Sequence, residues 1–154
     1  MAREVLSTYL NDHLAGAQAA LEIVSLLREL GDSDLWRQIQ VEINEDRHEL
    51  EGLILRMGSA PSAIRRAAAW TAEKLAELKV RVDDPSGGLL RRLELIEALA
   101  IGIDGKRALW TALQRASTSR SDPGHLDYVR LIARAEAQRH LVEPERLHVA
   151  AQAL

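Results

Sequence analysis

Apolar residues in this chain recur at spacings of three and four over long stretches, and short polar breaks separate the stretches. No other feature of the sequence constrains the fold as strongly, because that period belongs to the α-helix alone. At Gly31-Asp32-Ser33-Asp34 a glycine suited to end a helix is followed by several N-cap candidates. Gly58-Ser59-Ala60-Pro61 repeats this grammar, and Asp83-Asp84-Pro85-Ser86-Gly87-Gly88 is the strongest break in the chain. A polar stretch from Ser117 to Asp122 precedes Pro123, a residue suited to a first helical turn behind an Asp cap. The pattern predicts five helices, at about residues 2–30, 34–57, 60–82, 88–117 and 123–153. No period-2 run and no cluster of β-branched or aromatic residues argues for a strand.

Each predicted helix carries one apolar stripe. The first reads Leu6, Leu10, Ala17, Leu21, Val24 and Leu27; the second reads Trp36, Ile39, Ile43, Leu50, Leu53 and Met57. In the third the stripe is Ile64, Ala68, Leu75, Leu78 and Val82, and in the fourth Leu89, Leu93, Ile96, Ala100, Ile103 and Trp110. The last gives Leu126, Val129, Ala133, Leu147, Ala150 and Leu154. Long stripes joined by short turns specify an all-α helix bundle. At 154 residues the whole chain, 1–154, is expected to be a single domain with a core of its own. The third helix is either a fifth packed member of an up-and-down array or a crossover that makes its two neighbours in sequence parallel. The other four are the longer ones and make a complete bundle, which favours the crossover.

Composition removes several classes of function. The chain has no cysteine, so disulfides, thiolate metal sites and a cysteine nucleophile are excluded. A net charge of −3 argues against binding nucleic acid. The most apolar run, Ala98 to Ile103, is far short of the roughly 20 residues that span a bilayer. The first thirteen residues carry polar and acidic side chains where a secretory signal needs an apolar core, and a cytoplasmic protein without a membrane partner is expected. There is no phosphate-binding Gly-rich loop of the Lys-Ser/Thr type and no Gly-x-Ser-x-Gly elbow.

Function is sought where polar residues interrupt an apolar stripe, because a buried charge must be paired or liganded. His13 lies between Leu10 and Ala17, and Asp46 lies in the middle of the Ile39–Ile43–Leu50–Leu53 seam. On the last helix Glu136, His140 and Glu143 fall in the series 126-129-133-136-140-143-147-150-154. Facing side chains at mid-bundle are where metal sites are built, and His with carboxylates suits iron, manganese or zinc. His13, Asp46, Glu136 and His140 are therefore the candidate metal ligands, with Glu42, Glu49, Glu97 and Glu143 available to complete the shell. The competing reading gives these residues a structural role, paired with Arg47, Lys106 or Arg107, and Arg107 is read as inward between Ile103 and Trp110. Pro144 removes the hydrogen bond to the carbonyl of His140, so a kink is expected there.

The one Glu-x-x-His motif, Glu45 with His48, puts His48 opposite the core at 100° per residue. His48 shares that outer face with Val41 and Leu55, a candidate homodimer surface.

Five helices with acidic and histidine residues in their seams resemble the ferritin-like four-helix-bundle superfamily. The opening Tyr9-Leu10-Asn11-Asp12-His13-Leu14-Ala15-Gly16 is similar to the start of a branch of small bacterial proteins. Ala69-Trp70-x-x-Glu73-Lys74, Leu93-Glu94-x-x-Glu97-x-Leu99, Gly105-Lys106-x-x-Leu109-Trp110 and Arg134-Ala135-x-x-Gln138 extend the likeness along the chain. The resemblance implies a ferritin-like bundle of four long helices with an additional helical crossover. It also implies a di-iron or di-manganese centre built from two Glu and two Glu-x-x-His motifs. This sequence departs from that ligand set: Glu45/His48 is misoriented, Glu136 and His140 are four residues apart, and His13 rather than Glu22 lies on the inner face of the first helix. The expectation is a non-catalytic bundle with no resident cofactor. The alternative is a metal-binding oxidoreductase or a metal storage or stress protein.

Overall fold

The computed structural model describes residues 2–58, 88–117 and 126–154. These form four α-helices and no strand: α1 (Ala2–Leu30), α2 (Asp34–Arg56), α3 (Leu89–Ser117) and α4 (Tyr128–Ala153). The expected helix over 60–82 lies outside the described residues.

Local chemistry sets the helix ends. Ser33 is extended at φ −149° and its hydroxyl accepts a hydrogen bond from the Trp36 amide, which starts α2. Beyond α2 the chain turns at Gly58, whose φ of 72° is a left-handed conformation glycine adopts without a Cβ penalty. α4 begins at Tyr128 instead of near Pro123. Its cap is Asp127, whose carboxylate accepts from the Arg130 amide at 3.0 Å. α4 then continues as one helical segment through Pro144 to Ala153.

The helices pack in the ring α1–α2–α4–α3; the backbones of the diagonal pairs stay apart, and long side chains meet across the α2–α3 diagonal. Their directions follow from which side chains meet. Glu42, Asp46 and Glu49 of α2 bond Gln138, Arg134 and Arg130 of α4, so one number rises as the other falls and the pair is antiparallel. Arg92–Glu145 and Asp104–Arg139 make α3 and α4 antiparallel in the same way. It follows that α2 and α3 run parallel across the diagonal, and that the end of α2 and the start of α3 lie at opposite ends of the array.

The core divides in two. One cluster joins Val24, Leu27, Trp36, Ile39, Ile43, Leu93, Ile96, Leu99, Ile103, Val142 and Val149; the other joins Leu10, Leu14, Leu50, Leu53, Leu109, Trp110, Tyr128 and Leu131. On every helix the boundary falls at the same level: Leu14 to Ala20, Ile43 to Leu50, Ile103 to Leu109, and Leu131 to Ala135. The stripes read for the second and fourth predicted helices are the buried ones, from Trp36 to Met57 and from Leu93 to Trp110.

The stripe read for the last helix is not the buried one. Val129, Leu147 and Leu154 are exposed, and Tyr128, Leu131, Ala135, Gln138, Val142 and Val149 face the core. Apolar residues occupy both sides of α4, so composition alone does not fix its phase. The neighbours fix it, because Arg134 and Gln138 reach groups on α2 and α3 only from this orientation.

Removing the Asp127 cap leaves an orphan amide in the first turn of α4. Asp127→Ala is expected to lower stability by about 1 kcal/mol. Urea denaturation followed by circular dichroism measures it, and Tm should fall by roughly 2–4 °C.

Candidate functional site

The level between the two apolar clusters is a polar layer. Asp46 of α2 is 2% exposed, yet its carboxylate is fully engaged. Oδ2 accepts from Lys106 Nζ of α3 at 2.5 Å, and Oδ1 accepts from the Arg134 guanidinium of α4. Lys106 also donates to the Gln138 amide oxygen, and Gln138 Nε2 donates to Glu42 Oε2 at 2.9 Å. Arg134 Nη1 donates to Glu45 at 2.6 Å, at the solvent edge of the layer. Three helices are thus joined through one carboxylate. Burial pushes the Lys106 pKa below its ordinary value of 10.5, against the pull of Asp46.

A second seam of charge runs along α4 outside the layer. Glu143 accepts from Arg139 and Arg146, which hold its carboxyl down at about 2. These groups are near the surface and water screens them, so they add little stability.

Between α1, α2 and α3 a cleft of about 150 Å³ reaches inward to Asp46 and Lys106. Its walls include Ile43, Leu50, Ile103 and Leu109, and Gly16, Gly102 and Gly105 leave parts of them as bare backbone. His13 lines the same cleft and packs edge-on against Tyr9, with ring centroids 4.7 Å apart. Burial lowers the His13 pKa below 6.5, so the neutral ring is favoured there.

The four candidate ligands do not converge. Asp46 is in the polar layer, bonded to two cations, and His13 lies on the cleft wall of α1. Glu136 and His140 are exposed on α4, where Glu136 faces Arg107 at 3.7 Å. Arg107 is therefore outward and its neighbour Lys106 is the inward residue. Of the supplementary carboxylates, Glu42 bonds Gln138, Glu49 bonds Arg130, Glu97 meets Arg146, and Glu143 meets Arg139 and Arg146. Among the described residues no group of three or more His, Asp or Glu side chains is placed to hold a metal ion. Glu45 and His48 are exposed, as the helical phase of α2 requires.

Arg134 and Gln138 are the layer residues that the sequence reading did not select. A signal for them exists: Leu131, Ala135, Gln138, Val142 and Val149 also follow a helical spacing, with Gln138 interrupting it. Searches against protein-family models, curated proteins and solved structures found no match to this chain.

Removing Asp46 alone leaves the largely buried Lys106 without a carboxylate and Arg134 with Glu45 only. Asp46→Ala is expected to destabilise the protein by about 3–5 kcal/mol, whereas replacing Asp46, Lys106 and Arg134 together by Leu, Met and Leu is expected to cost far less, or to stabilise it. Urea denaturation of the single and triple variants measures the difference.

Proposed function

We propose that this chain is a non-catalytic helical bundle of ferritin-like topology, and that its mid-bundle polar residues hold the helices in place. The parallel course of α2 and α3, with α1 and α4 opposed to them, supports that topology, since a crossover between the second and third long helices generates it. The observation that carries the structural role is the pairing of Asp46 with Lys106 and Arg134. A divalent cation that took Asp46 as a ligand would have to displace an ammonium or a guanidinium, and Lys106, if displaced, would be left without a carboxylate partner. The protein itself supplies the positive charge at mid-bundle. A cytoplasmic setting without a nucleic-acid or membrane partner belongs to the same proposal, and no described helix is long and apolar enough to cross a membrane.

Elemental analysis after anaerobic exposure to Fe(II) and Mn(II), followed by desalting, tests the reading. No stoichiometric iron or manganese is expected to remain. Retention of one ion or more per chain, lost in Asp46→Ala or His140→Ala, would overturn it in favour of a metal-dependent protein using His13, Asp46, Glu136 and His140.

Self-association through the outer face of α2 is part of the proposal. Val41 and Leu55 are 59% and 56% exposed, with His48 between them on that face. Val41→Glu with Leu55→Glu is expected to reduce the assembly mass in light scattering to that of one chain. An unchanged multimer would remove this face from the account.

A further inference from the structure

The outer face of α4 carries no charge for about four helical turns. From residue 137 to residue 151 the exposed side chains are Ala137, His140, Leu141, Pro144, Leu147, His148 and Ala151. Leu141 and Leu147 are 40% and 54% exposed. At 100° per residue all seven fall within about 60° of Pro144, so they make one face. The solvent side of a surface helix ordinarily holds its charged residues, and 28% of this chain is charged. Here the charged residues of the same stretch are turned aside into ion pairs. Arg139 and Arg146 hold Glu143 and reach Asp104 and Glu97 of α3, and Glu145 bonds Arg92 of α3.

The order of this face reads the same in both directions from Pro144. Leucines stand three residues away on either side, histidines four away and alanines seven away. A two-fold axis at right angles to the helix, placed at Pro144, lays a second α4 antiparallel to the first. Residues equally far from Pro144 then share a level: Leu141 with Leu147 of the second copy, His140 with His148, and Ala137 with Ala151. Glu136, the exposed acidic residue just beyond the face, comes level with the uncharged Gln152 of the second copy. A contact between identical chains across a two-fold axis needs a patch that complements itself, and this one does so position by position. A foreign partner would place no such demand for symmetry about Pro144. We infer that the outer face of α4 pairs with the same face of a second copy of this chain, antiparallel and centred on Pro144. Its paired length is roughly 21 Å, at 1.5 Å per residue. One helix pair of that length buries less than the roughly 1,000 Å² of a stable interface, so pairing belongs to concentrated protein, on the order of hundreds of micromolar. The inference is independent of the polar layer and of the α2 face, which is tested in dilute solution.

Sedimentation equilibrium of the full-length chain carrying Val41→Glu and Leu55→Glu tests it apart from the α2 face. The mass is expected to climb from one chain towards two between about 20 μM and about 1 mM. His140→Glu with His148→Glu sets like charges level with each other twice and is expected to weaken pairing by at least about tenfold. His140→Lys with His148→Lys is expected to do the same while moving the net charge the opposite way, which separates register from general repulsion. His140→Glu with His148→Lys sets opposite charges level instead and is expected to pair at least as well as the chain that keeps both histidines. Both positions are exposed, and circular dichroism checks that each variant keeps its helices. A multimer already present in dilute solution and dissolved by either like-charge pair would fault the α2 face and uphold this one. The inference is overturned if the mass stays at one chain up to about 1 mM, or if the mixed-charge variant pairs no better than the like-charge ones.

Discussion

The carboxylate of Asp46 is the point on which the arrangement of the helices depends. Apolar stripes drive helices together, but they leave a helix free to slide by a turn or rotate by a residue, since aliphatic side chains are tolerant of one another. A buried carboxylate is not tolerant. It loses several kcal/mol of hydration on leaving water, and only well-placed partners return that energy. Here the partners come from two other helices, Lys106 of α3 and Arg134 of α4. Any shift of α3 or α4 along its axis by one turn, about 5.4 Å, would break a contact that the buried charge cannot do without. On the proposed reading the polar layer works as a register device more than as a source of net stability.

The same layer explains the unequal spacing of the helices. α2 and α4 have the least backbone proximity of the four neighbouring pairs, and long polar side chains bridge them: Glu42 with Gln138, Glu45 and Asp46 with Arg134, Glu49 with Arg130. Aliphatic side chains would leave that span underpacked, whereas Arg and Gln extend across it and keep their polar ends paired. The rungs, three or four residues apart on α2 and four apart on α4, are the helical repeat seen from the side. One antiparallel seam is thus polar for most of its length, and the other three seams carry the apolar core.

Much of this was legible in the sequence, and the failures have a common physical cause. On α2 the apolar residues fall on one face, so Trp36 to Met57 identified that face and marked Asp46 as an interruption within it. On α4 both faces carry aliphatic residues, and the larger ones, Val129, Leu147 and Leu154, happen to be outside. The phase of α4 is set by what Arg134 and Gln138 reach on other helices, and that information is not local to α4. The mistaken phase is what puts Glu136 and His140 in the interior, and reading Arg107 as inward on α3 is a similar shift of one residue, since Lys106 is the inward one. A periodicity can locate a face only when the opposite face is different.

The helical glycines bear on why the cleft exists at all. Each glycine in a helix interior sacrifices about 1 kcal/mol relative to alanine through backbone entropy. Gly16, Gly102 and Gly105 lie within α1 and α3, all three border the one cleft, and none is forced by a close neighbour, since an added Cβ would meet nothing within 4 Å. On stability grounds alone, alanine at these three positions would be worth roughly 3 kcal/mol and would also begin to fill the opening. Sterics in the bundle do not account for the glycines, and neither do turns, because all three are inside helices. Bare backbone at these three positions forms part of the cleft wall on α1 and α3.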